Sequence, residues 1–164
     1  MKRIAQFEKV SIEQFRSGSE LPNAQAVYEE IKLPKRATSG SAGYDFYAPF
    51  DMMLEPGETI KVPTGIRVKI EDGWVLKIYP RSGLGFKFRL QLNNTVGIID
   101  SDYYYSDNEG HIFIKITNDT NEGRTVEIPA GMAFAQGVFV EYGITYDDNA
   151  AGVRNGGMGS TTKA

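Results

Sequence analysis

The chain has 164 residues, 41% hydrophobic and 24% charged, with a formal net charge of −3; that is the profile of one globular domain, and its acidic balance argues against a general nucleic-acid surface. It has no cysteine and one histidine, His111, which excludes disulfides, thiolate nucleophiles and multi-histidine metal sites, leaves room for a histidine triad, and fits a cytoplasmic location. No apolar run approaches the roughly 20 residues of a membrane span, and the charged start Met1-Lys-Arg-Ile lacks an apolar signal core.

Along the chain, Arg3 to Val10 mixes apolar and polar residues with partial alternation and predicts a strand. Ser11 and Gln14 have capping-box spacing, so a short helix is expected through about Ser17, stopped by Gly18. The stretch from Asn23 to Lys35 suits either helix or strand; Pro34 tips the expectation toward extended structure. After Thr38 the chain is loop-like until Phe46, and Glu55-Pro-Gly-Glu58 marks a turn. Short strands are then predicted at Thr59–Pro63, Ile66–Ile70, Trp74–Tyr79, Phe88–Leu92, His111–Thr117, Thr125–Ile128 and Ala133–Glu141. Many short strands with turn signals between them indicate an all-β barrel or double-sheet roll. The tail from Arg154 carries too little apolar mass to pack, so it is expected to be mobile unless a ligand holds it.

Chemistry concentrates in five stretches. In Asn94-Thr-Val-Gly-Ile-Ile-Asp-Ser-Asp-Tyr103, two isoleucines run directly into Asp100. Such a strand end can hold a general base, because partial desolvation raises a carboxylate's basicity. Taken alone, an Asp-rich turn is the better explanation. Pro80-Arg-Ser-Gly-Leu-Gly85 offers a cation, a hydroxyl and flexible amides for an anion, or is a plain loop. Asp45, after Ala42-Gly-Tyr, suits magnesium-bound waters or a turn, and Gln136 places an amide in an apolar strand where it must find partners. The glycine-rich tail with Arg154 does not match a P-loop, because no Lys-Ser/Thr closes the spacing.

Together and in order, Ala42–Ala48, Pro80–Leu84, Gly97–Tyr103, Gly131–Gln136 and Arg154–Thr161 resemble the five motifs of the trimeric dUTP pyrophosphatase (dUTPase) family. The resemblance runs from about Lys32 to the C-terminus, with the first three motifs closest. It implies a β-clip or distorted jelly-roll fold, a homotrimer with shared active sites, and Mg²⁺-dependent hydrolysis of dUTP to dUMP and pyrophosphate. That activity would limit uracil incorporation into DNA and supply dUMP for thymidylate synthesis. By motif position, Asp100 would be the base for water attacking the α-phosphorus, and Tyr103 would pack on the deoxyribose. Asn94, with the neighbouring Gly97 and Ile99, would read the uracil edge in a tight hairpin that excludes a 5-methyl group. Arg81, Ser82 and Gly83 would contact phosphates from a neighbouring subunit, while Asp45 and Gln136 would hold waters of a Mg²⁺ bound mainly by the triphosphate, or order the catalytic water. Arg154, Met158, Gly159, Ser160 and Thr161 would close over the nucleotide from a third subunit. The expected organisation is therefore one domain over residues 1–150, with an insertion at about 11–27, and a closing tail over 151–164.

The chain departs from the family pattern in four places. Met158 stands where an aromatic residue usually covers the uracil, and one residue, Asn155, separates Arg154 from the glycine pair where two are common. Gly131-Met-Ala133 replaces a Gly-acid-Arg pattern, and Tyr104 to Gly110 lengthens the segment after Tyr103, whose tyrosine run suits local packing or a trimer contact. Two alternatives stay open: a dCTP deaminase on the same fold, and a nucleotide-binding regulator that kept the pocket. The sequence identifies no membrane, nucleic-acid or regulatory protein partner.

Overall fold

Alternation builds the sheets. In the segment after His111, Ile112, Ile114 and Ile116 are all buried to within 1%, while Lys115 between them is exposed; a period of two puts one face in the core and the other outside. The computed structural model describes residues 1–157. Its strands are β1 (Ala5–Lys9), β2 (Lys35–Arg36), β3 (Tyr44–Tyr47), β4 (Met52–Leu54), β5 (Thr59–Pro63), β6 (Ile66–Ile70), β7 (Trp74–Pro80), β8 (Leu90–Leu92), β9 (Gly97–Ile99), β10 (Phe113–Asn118), β11 (Val126–Ile128) and β12 (Ala133–Glu141). Three short helices interrupt them: α1 (Ile12–Ser19), α2 (Ala24–Glu30) and α3 (Ser82–Phe88), with a 3₁₀ turn at Ser101–Tyr105. The strands form an antiparallel five-stranded sheet β2-β3-β12-β7-β9, a three-stranded sheet β5-β10-β8, and the pairs β1-β6 and β11-β4. The expected all-β, jelly-roll-like architecture is the one observed.

Four local expectations are corrected. Residues 24–30 are helical rather than extended, because Ala24, Val27 and Ile31 fall on one helical face and bury into the core with Phe15. The strand expected from Phe88 begins only at Leu90, since Phe88 ends α3 and Arg89 turns left-handed at φ +51°. β4 was not expected at all; three residues carry too little alternation to detect. The tight hairpin expected around Asn94 is instead a corner between sheets, because β8 pairs with β10 whereas β9 pairs with β7.

Side chains of residues 11–27 pack into the core. Ser11 caps α1 by accepting from Gln14 N, and Phe15 is fully buried beside Val10, Val27 and Ile31. Gly65 makes that contact possible: its φ of +68° suits glycine, and a Cβ there would lie 2.3 Å from Ile31 and 3.2 Å from Phe15.

Candidate active site

β9 delivers Asp100 to a cleft. Its ladder with β7 runs Ile78↔Gly97, Lys77↔Ile98, Leu76↔Ile99, and Asp100 then caps the 3₁₀ turn, where Tyr103 N donates to its carbonyl. The cleft is lined by Asn94, Gly97, Ile99, Asp100, Tyr103 and Arg154, so six of the residues singled out in the sequence converge. Gly97 is packed tightly, since a Cβ there would come within 3.1 Å of Ile78. Phe113 and Lys115 also line the cleft. The sequence reading passed over both, although they are simply the outward positions of the same alternation that buries Ile112 and Ile114.

The desolvation expected of Asp100 is absent from the chain as it stands. Its side chain is 42% exposed and accepts from Arg154 Nη2 at 2.5 Å, while Arg154 Nε donates to Asp102 at 2.8 Å. The tail arginine therefore clamps both acids of its own chain. Three residues later, Gly157 lies against the edge atoms Cε2, Cζ and Oη of Tyr103, close enough that a Cβ would meet Cε2 at 2.8 Å. Met158, Gly159, Ser160 and Thr161 lie outside the described residues.

Tyr103 is 7% exposed; its Oη donates to His111 O at 2.7 Å and accepts from Asn108 Nδ2 at 2.8 Å. Burial pushes the phenol up, against smaller opposing effects of Asn108 and Arg154. His111 is not a catalytic base. It is fully buried, accepts from Gly65 N through Nε2 at 2.9 Å, and lies 3.4 Å from the Gln14 amide at Nδ1. Burial, with Lys61 adding to it and Glu109 opposing, lowers its pKa to about 4, so it is a neutral structural ring at ordinary pH.

A second group forms elsewhere on the sheet. Asp45 and Gln136 are register partners on β3 and β12. Arg81 reaches Asp45 at 3.5 Å, and the Gln136 amide donates to Pro80 O at 3.3 Å and Ser82 Oγ at 3.4 Å. The irregularity in β12 between Ala133 and Ala135 serves this group, because Phe134 O accepts from Arg81 N at 3.0 Å. Ser82 and Gly83 occupy the first turn of α3, where a helix leaves amides without intrahelical partners. The two groups do not meet. Gln136 is level with Tyr79 and Ile99 with Leu76, three residues or about 10 Å apart along β7, with that strand between them.

Among the described residues, no cluster of three His, Cys, Asp or Glu side chains could cage a metal, and no helix is long and apolar enough to cross a membrane.

The dUTPase family model matches residues 29–162. The chain belongs to the dUTPase family. Among its relatives is a deoxyuridine 5′-triphosphate nucleotidohydrolase of Lactococcus lactis, 42% identical over 134 residues, covering 80% of this chain and 88% of the relative. One from Hahella chejuensis is 40% identical over 142 residues, again covering 80% and 88%. The dUTPase crystal structure from Streptococcus mutans superposes with a TM-score of 0.65 at 35% identity, covering 85% of this chain and 97% of that one. A variant dUTPase from the S. aureus phage phi11, whose structure shows a coordinated structural Mg(II) ion, shares the fold at 23% identity and a TM-score of 0.65. As a dUTPase, the chain is a dUTP diphosphatase, and the deaminase alternative is set aside.

Proposed function

We propose that the chain hydrolyses dUTP to dUMP and pyrophosphate through water activated by Asp100, in sites completed between copies of a homotrimer. The observation that carries this reading is the convergence of Asp100, Tyr103, Asn94 and Arg154 on one cleft. Asp100 Oδ accepts the proton of the water as it attacks the α-phosphorus; the Pα–O bond to the β-phosphate breaks, and pyrophosphate leaves. Tyr103 forms the wall against the deoxyribose. Asn94 and the backbone of the β8–β9 corner, with Gly97 and Ile99, face the uracil edge. The rigidity of that corner provides the clash against a 5-methyl group, which apolar contact alone discriminates by only about 1–3 kcal/mol.

Phosphate contacts fall to Arg81, Ser82 and Gly83 of a second copy, and to Arg154 with Met158, Gly159, Ser160 and Thr161 of a third. The offset of about 10 Å along β7 between the two groups on one chain, with that strand also between them, supports this division. The Asp45–Gln136 pair suits a hydrated Mg²⁺: one carboxylate and one amide cannot cage the ion, but can hold waters of a cation carried by the triphosphate. When bound, that ion would neutralise charge developing on the phosphates.

The test is pyrophosphate release with Mg²⁺ from dUTP, dTTP, dCTP and UTP. Turnover confined to dUTP is expected. Silence on all four with tight dUTP binding would make the chain a nucleotide sensor, and ammonia from dCTP would reinstate the deaminase. Replacing Asp100 by Asn should lower kcat by about 10²–10⁴-fold, the range for a general base, with dUTP affinity nearly intact. A large loss of affinity in that variant would contradict the assignment.

A further inference from the structure

The family match begins at residue 29, so α1 and most of α2 lie before it, yet α1 and its cap make two contacts with the 109–113 segment, which leads into the cleft wall. The first is polar. Ser11, the N-cap of α1, donates from its backbone N to Glu109 Oε2 at 2.7 Å and from its hydroxyl to Glu109 Oε1 at 2.6 Å. Burial would raise the Glu109 carboxyl, but the two Ser11 hydrogen bonds, with Arg67 and His111, outweigh it and hold it below its ordinary value. The second is steric. Gly18, near the end of α1, lies so close to the cleft wall that a Cβ would meet Phe113 at 2.9 Å and His111 Nδ1 at 3.0 Å. Phe113 lines the cleft.

Between these points runs the lengthened segment after Tyr103. Glu109 sits at φ +57° and donates its N–H to Ser106 O, while Asn108 uses its carbonyl for His111 N and its Oδ1 for Gly110 N at 3.2 Å. What remains of Asn108 is Nδ2, which donates to Tyr103 Oη. The side chain is thus held at both ends, and its one outward bond fixes a ring in the cleft.

We propose that Asn108 is a positioning residue for 2′-deoxy selectivity, anchored by the N-terminal helix through the Ser11–Glu109 pair. It acts through Tyr103, and rests on the reading of Tyr103 as the sugar wall. A wall excludes one hydroxyl group only if it cannot retreat by the width of that group. Tyr103 is barred from retreating by two hydrogen bonds on one oxygen, one from Asn108 and one to His111 O; Asn108 adjoins Glu109, which Ser11 holds, and the His111 ring packs against Gln14 and Gly18 of α1. The segment before the family match would then be part of the specificity apparatus.

The experiment measures the ratio of kcat/KM for dUTP over UTP in the full-length chain, in a cycle of Asn108→Asp and Tyr103→Phe. Asn108→Asp keeps the shape and the acceptor for Gly110 N but removes the donor to Oη. The ratio should fall about tenfold, the worth of one hydrogen bond to a buried group, chiefly through better use of UTP. In the Tyr103→Phe background the same change should move the ratio less than twofold, since its target atom is gone. Glu109→Gln, which loosens the anchor without touching Asn108, should lower the ratio in the same direction by a smaller factor. A lowered melting temperature with an unchanged ratio would show Asn108 to be structural only, and an equal effect with Phe at 103 would show that it does not act through Tyr103; either result overturns the proposal. If the wild-type chain turned over no dUTP, the proposed function would fail instead. The ratio of dUMP to UMP affinities by calorimetry would then test the same positioning without any chemistry.

Discussion

At the residue scale, the most informative contact is Arg154 spanning Asp100 and Asp102. Two carboxylates two residues apart on a tight turn repel each other, and the guanidinium fork answers both at once. Under the proposed function a triphosphate would offer the same arginine stronger acceptors, and nucleotide binding would then be coupled to release of Asp100 through one side chain. His111 gives a separate, measurable consequence. Its pKa is about 4 in the folded chain against about 6.5 when unfolded. Between those values the unfolded chain holds the proton and the folded chain does not, so stability is lost as pH falls through that window. At pH 4.5 the loss should be about 2–3 kcal/mol larger for wild type than for His111→Gln. Urea unfolding of both at pH 7 and pH 4.5, at one protein concentration, reads the difference; parallel losses would show that His111 is not the group responsible.

At the scale of elements, what was legible in the sequence followed from how much pattern each element carries. β12, with nine residues, and β5 and β6, with five each, were bounded correctly, because alternation and flanking turns agree there. The cap of α1 was legible from Ser11 and Gln14. α2 was not, since Val27, Tyr28 and Ile31 suit either structure locally and only packing against Phe15 decides between them. α3 was hidden by its own glycines, Gly83 and Gly85, and is fastened chiefly by buried Leu84. The candidate site residues stood out as motifs, and the structure brings Asn94, Gly97, Ile99, Asp100, Tyr103 and Arg154 to one cleft, but the pairing of Asp45 with Gln136 needed the register of β3 and β12, which no single stretch encodes. The insertion shows the same dependence on tertiary contact. Phe15→Ala should cost about 3–5 kcal/mol by denaturant titration, because a fully buried ring shared by α1, α2 and Gly65 is lost. A cost under 1 kcal/mol would mean that the insertion is only docked on a core complete without it.

At the scale of the whole molecule, the distribution of apolar surface is lopsided. Core side chains are closed off, yet Tyr142, Ile144, Tyr146 and Val153 all lie exposed along one stretch, and Phe86 on α3 is 95% exposed. Such a run of exposed apolar side chains, with the two groups of candidate residues held apart on β7, is what the proposed homotrimer would require of its protomer. Two arrangements compete for the tail. Arg154 either serves the Asp100 it touches within its own chain or crosses to another copy when nucleotide is bound. Mixing separates them. An Asp100→Asn chain with its tail intact and a chain truncated after residue 150 with its Asp100 intact should each be inactive alone. If a site takes its base from one copy and its tail from another, random assembly in equal amounts gives an intact base half the time and an intact tail half the time. About a quarter of wild-type activity should therefore return. Within single chains no site would ever combine the two, and activity would stay at the level of the separate variants however thoroughly they mixed. Mass spectrometry of the mixed assemblies under native conditions establishes that exchange has occurred, so absence of rescue would count directly against the shared-site reading.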